Sequence, residues 1–128
     1  MKQITEDYVT FEIATLLKEK GFDIPCRSYY NNNNYLSFEH PKGFVLVDSV
    51  YLLRPTHQMA LKWLKKIHGI YITSEPDIND KHCFYPAIYA MKEESWDVLY
   101  IEELEHLRFD EPEQAIEASL KYTLKNLI

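Results

Sequence analysis

The chain has 128 residues, 46% of them hydrophobic, with ten tyrosines, enough to pack one domain without disulfide or metal staples. That composition excludes global disorder, and a formal net charge of −6 argues against nucleic acid as a partner, because polyanion binding needs concentrated Lys and Arg. The longest apolar runs, Phe44-Val45-Leu46-Val47 and Val50-Tyr51-Leu52-Leu53, fall far short of the roughly 18 residues of a membrane span. The amino terminus lacks the apolar core of a secretory signal, so Cys26 and Cys83 are expected as free thiols and the cytoplasm as the address.

Val9, Ile13, Leu16 and Leu17 recur at helical spacing, with Thr10 or Thr5 as N-cap and Gly21 as terminator. Phe11 lies off this stripe, toward a second element or in the first turn. Arg27-Ser28-Tyr29-Tyr30 and Tyr35-Leu36-Ser37-Phe38 flank the run Asn31-Asn32-Asn33-Asn34, a hairpin signal because Asn tolerates positive φ. Residues 44–53 read as one buried strand or two short ones divided near Asp48-Ser49. A second helix is expected from Thr56 to His68, between Pro55 and Gly69. Its apolar side gathers Ala60, Leu61, Trp63, Leu64 and Ile67, and its charged side Lys62, Lys65 and Lys66.

Ile70-Tyr71-Ile72-Thr73 follows as a strand, and residues 74–80 as a polar turn. Residues 82–91 are β-rich, and Pro86 marks an edge strand or a bulge because it donates no ladder hydrogen bond. Residues 92–95 turn the chain into a strand over 96–101. A last helix starts after Asp110, with Asp110 and Glu113 spaced as a capping box, and carries the stripe Ile116, Leu120, Thr123, Leu124 and Leu127. The order α-β-β-(β)-α-β-β-β-α predicts a single α+β domain over residues 1–128, a two-layer sandwich with helices on one face of an antiparallel sheet.

Candidate chemistry is sparse. Glu103-x-x-His106 has a carboxylate-histidine spacing used in di-metal bundles, but one copy does not make such a site, and no HExxH or CxxC is present. No metal, no cofactor and no catalytic residue is expected. His82 and Cys83 are neighbours that a strand would point to opposite faces. From Thr56 onward the element order is also that of double-stranded RNA-binding domains, yet the final helix opens with Asp110-Glu111-Pro112-Glu113, which repels phosphate.

Two surfaces stand out instead. The hairpin tip, with Tyr29, Tyr30, Asn32, Asn33 and Tyr35, has the tyrosine and asparagine mixture of binding loops and is a candidate partner site. Tyr71, His82, Tyr85, Tyr89 and Trp96 are candidates to line a cleft, and Trp63 and Trp96 to join an exposed apolar patch.

The segments Thr10–Phe22, Pro55–Leu64, His68-Gly69-Ile70 and Glu117–Tyr122 resemble a family of small proteins common in phages, prophages and mobile elements of gut anaerobic bacteria. Lys65-Lys66 stand where that family usually has an Arg-Glu pair after Trp-Leu. The resemblance implies a genomic setting and carries over no site. The expected function is that of a non-enzymatic accessory protein acting by protein contacts. The rivals are a small-ligand binder or small enzyme using the Tyr/His/Trp cleft, and a double-stranded RNA-binding-like domain. An edge strand near Pro86 and exposed aromatics suit a homodimer.

Overall fold

The structure is a computed structural model that describes residues 4–31, 36–39, 51–79 and 82–128. The chain is α+β in the expected order, but its strands form two sheets rather than one. Two compact units result, Met1–Ala60 and Leu61–Ile128. Among the described residues no helix is long and apolar enough to cross a membrane.

The first unit opens with helix α1 (Phe11–Glu19). Thr10 caps it, its Oγ1 accepting from the Ile13 N–H at 3.3 Å, so Thr10 and not Thr5 is the cap. Val9, Ile13, Ala14 and Leu17 are buried, and Gly21 closes the helix end at φ +93°. Among the described residues the sheet has the order β2-β1-β3, with β1 (Ser28–Asn31), β2 (Ser37–Glu39) and β3 (Tyr51–Leu53) all antiparallel. The expected hairpin is there, and the Asn31 N–H closes it on the Leu36 carbonyl at 2.8 Å. Its tip, residues 32–35, and the possible strand before residue 51 lie outside the described residues.

Arg54 ties this unit together. Its guanidinium lies 4.0 Å from the Tyr8 ring centroid and 5.5 Å from that of Tyr30. It donates to Ser28 Oγ at 2.9 Å, and that hydroxyl donates onward to the Phe38 carbonyl at 3.1 Å. One planar cation thus joins β1, β3 and the strap before α1, while its buried Nε has no hydrogen-bond partner among the described residues.

Helix α2 (His57–Trp63), capped by Thr56 Oγ1, continues into a π-helical turn, Leu64–His68. The wider turn rotates the following residues off the apolar stripe. Ile67, expected inside, is therefore 64% exposed, whereas Trp63, expected at an exposed patch, is buried. Gly69 ends the turn at φ +66°, and a Cβ there would stand 3.3 Å from Met91 Cβ, so both backbone angle and space call for glycine.

In the second unit, β4 (Ile70–Pro76), β5 (Phe84–Met91) and β6 (Trp96–Leu99) make an antiparallel sheet of order β4-β5-β6 among the described residues. β4 runs on through Ser74-Glu75-Pro76, residues that read as turn, because each has a partner on β5. A short helix, α3 (Glu102–Glu105), precedes α4 (Pro112–Asn126). The capping box is Glu111 with Gln114, one residue later than expected, because Pro112 occupies the first helical position. α4 packs on β4 and β5, burying Ile116, Leu120, Thr123 and Leu124 with Ile70, Ile72 and Ile88.

Arg54→Ala is expected to lower the unfolding free energy by about 2 kcal/mol, from the lost cation-π and hydrogen-bond contacts. Arg54→Lys should cost roughly half as much, since an ammonium keeps the charge but not the flat fork. Urea unfolding of both variants checks the order, and a neutral Arg54→Ala would contradict it.

Candidate functional site

Strand alternation decides what the second sheet presents. Ile72 pairs with Ile88 and Tyr71 with Tyr89, so the isoleucines face α4 and the tyrosines the opposite side. Trp96 pairs with Met91 and Val98 with Tyr89, which places them on the tyrosine side too. On that side Tyr71, Met91, Trp96 and Val98 are 43%, 52%, 41% and 46% exposed.

The ring centroids of Tyr71 and Tyr89 lie 6.2 Å apart, and those of Tyr71 and Trp96 5.9 Å apart, both pairs tilted. Together with Lys65, Thr73 and Glu75 they line a groove of about 460 Å³. Three of the five expected cleft residues therefore converge. Tyr85 shares the face but stands two pairs along, opposite Glu75. His82 lies in the turn before β5 at φ +60°, is exposed, and lines neither this groove nor the next.

A second cleft, of about 520 Å³, has Tyr85, Pro86, Tyr100, His106 and Arg108 among its lining residues. Its origin is Pro86. The Phe84 N–H donates to the Phe109 carbonyl, away from β4, while the Met91 N–H donates to Gly69 on the β4 side. Even-numbered residues of β5 thus point their backbone groups toward β6, and Pro86 lacks its donor on that side. The chain leaves β5 after Leu99 and rejoins it at Phe109, so residues 100–108 arch out opposite the proline. β5 is the central strand, so Pro86 marks neither an edge strand nor a bulge here, and among the described residues nothing pairs with β5 on the β6 side at the proline. Arg108 pins the arch: Nε donates to Asp77 Oδ2 at 2.7 Å, and one terminal nitrogen to the Glu105 and Leu107 carbonyls at 3.0 and 2.8 Å. Its guanidinium also lies 5.1 Å from the Tyr85 ring centroid.

The hairpin candidates have other occupations. The Tyr30 hydroxyl donates to the Val9 carbonyl at 2.6 Å, its ring meets Phe11 edge-on at 5.4 Å, and Tyr29 stacks on Phe38 at 5.6 Å. Phe11 thus does reach a second element. Asn32, Asn33 and Tyr35 lie outside the described residues.

Cys26 is buried, donates its thiol to the Ile24 carbonyl at 3.2 Å, and burial pushes its pKa from an ordinary 9.0 up to about 12. A thiol held protonated in this way is a poor nucleophile. Cys83 is half-buried and sits with His82 ahead of β5, not on a strand as expected. Glu103 and His106 are exposed, and no group of three or more His, Cys, Asp or Glu suited to a metal occurs among the described residues.

Thr73, Glu75 and Arg108, which complete the two clefts, were not singled out from sequence, and Lys65 was read only as part of a charged helix face. Glu75 was hidden by the reading of residues 74–80 as a turn. The alternation Tyr71, Thr73, Glu75 was the available signal. Comparison of the chain with protein-family models, with curated proteins and with solved structures returned no match.

The raised Cys26 pKa has a definite sign. The unfolded chain loses this proton near its ordinary value and the folded chain only near 12, so stability falls as pH rises from about 9 to 12. A thiol reagent at pH 8 is expected to label Cys83 in the native chain and Cys26 only after denaturation. Equal labelling rates would contradict the burial argument.

Proposed function

We propose that the chain is a non-enzymatic accessory protein of phage or mobile-element setting, acting in the cytoplasm through protein contacts on the open face of the β4-β5-β6 sheet. The observation that carries this reading is the cluster of Tyr71, Tyr89 and Trp96, half-exposed on the sheet face turned away from α4's isoleucine partners. Aromatic side chains offer large contact area at low entropic cost and dominate the energetic centres of protein interfaces. The rings lean on one another and continue into exposed Met91 and Val98, which favours a broad contact over an enclosed reaction site. The hairpin is the weaker candidate, because Tyr29 and Tyr30 already serve the first unit's own packing.

A double-stranded RNA reading gains no support from α4, whose cap is Glu111 and whose first turn carries Glu113. The second reading with a specific observation behind it is a small-ligand binder. Lys65, Thr73 and Glu75 bring polar groups to a groove of about 460 Å³, which is large enough for a small molecule.

Tagged wild-type chain should retain partner proteins from its native host during phage induction that Trp96→Ser and Tyr71→Ser variants lose, without a change in unfolding midpoint. An identical set of retained proteins across the three would contradict the proposal. A thermal-shift screen that finds a metabolite stabilising wild type but not Trp96→Ser would transfer the face to the small-ligand reading.

A further inference from the structure

Among the described residues, no strand pairs with the outer edge of β6. Since even-numbered residues of β5 point toward β6, Ile88 with Leu99 and Ala90 with Asp97 are the hydrogen-bonded pairs. The backbone N–H and C=O groups of Trp96 and Val98 consequently point outward, and both residues are exposed. The other edge does not match this. The outward backbone groups of β4 belong to Ile70, Ile72 and Ser74, and Ile72 as a whole residue is only 2% exposed.

Sheet edges are commonly blunted by Lys, Pro or a bulge, and Trp96-Asp97-Val98-Leu99 has neither of those residues. Its Asp97 is already matched by Lys92 at 2.6 Å. The charges lie at its two ends instead: Glu93 and Glu94 in the preceding turn, and Glu102, Glu103 and Glu105 on α3, all exposed.

Those charges select the occupant. An antiparallel second copy overlapping Trp96–Leu99 would bring the Glu93-Glu94 end of each chain toward the α3 glutamates of the other. Like charges brought close together are unfavourable, which opposes self-pairing. Resting on the protein-contact reading above, we infer that β6 accepts an extended segment of another protein as an added strand, and that this segment has apolar residues at alternate positions and Lys or Arg at both ends. The main-chain hydrogen bonds then supply affinity, Trp96 and Val98 meet the alternate apolar side chains, and the glutamates set sequence preference.

The test uses the full chain and a synthetic peptide of alternating Thr and Val flanked by two lysines at each end, followed by Trp96 fluorescence. A glutamate-flanked peptide and one with proline at its centre serve as comparisons. The lysine-flanked peptide is expected to bind about tenfold or more tightly than the glutamate-flanked one at low salt, a gap that narrows as salt rises. Glu94→Lys with Glu102→Lys should reverse that preference, and Val98→Pro should abolish binding by removing an outward donor. The charge-reversed variant keeps the test decisive even where Val98→Pro misfolds. Equal binding of all peptides overturns the inference, as does dimerisation of the free chain by light scattering, which would give the edge to a second copy. If host proteins depend on Trp96 but not on Val98→Pro or the charge reversal, the inference fails while the protein-contact reading stands.

Discussion

The docking of α4 on one side of the β4-β5-β6 sheet governs the rest of the second unit. Ile116, Leu120, Thr123 and Leu124 need an apolar partner surface, and the period-two alternation of the strands offers one made of Ile70, Ile72 and Ile88. Once those residues are committed to the helix, Tyr71, Tyr89, Trp96 and Val98 are turned to the other side by geometry alone. The aromatic face is thus the complement of the core, and its residues keep strand-forming character while leaving rings available for contact.

Pro86 shapes the same sheet at a second point. A central strand cannot keep a full ladder on both sides of a proline, and β5 resolves this by pairing with β6 only over residues 88–91. The chain between Leu99 and Phe109 then has no ladder to join and folds into α3 and the arch pinned by Arg108. The short β6 left behind ends beside a cluster of glutamates.

Much of the fold was legible because local rules and tertiary demands agreed. Thr10, Gly21, Thr56 and Gly69 mark helix ends by mechanisms that act within a few residues, and the asparagine run marks the hairpin. Where sequence failed, the cause was non-local. Ser74-Glu75-Pro76 have turn composition but take strand geometry because Tyr85 and its neighbours pair with them. Ile67 left its stripe because the helix widened into a π turn, which an ideal 3.6-residue period does not anticipate. Of the candidate cleft, Tyr71, Tyr89 and Trp96 follow from alternation, whereas Arg108 reaches Tyr85 only through the arch. No spacing in the sequence encodes that contact.

Amide hydrogen exchange of the isolated chain reads the backbone orientation of β6 directly. Asp97 and Leu99 point their N–H groups into the ladder with β5, and Trp96 and Val98 point theirs outward. Exchange should alternate along the strand, slow at Asp97 and Leu99 and fast at Trp96 and Val98. Equal protection at all four, or slow exchange at Trp96 and Val98 in the free chain, would mean that the edge is already covered and would contradict the account.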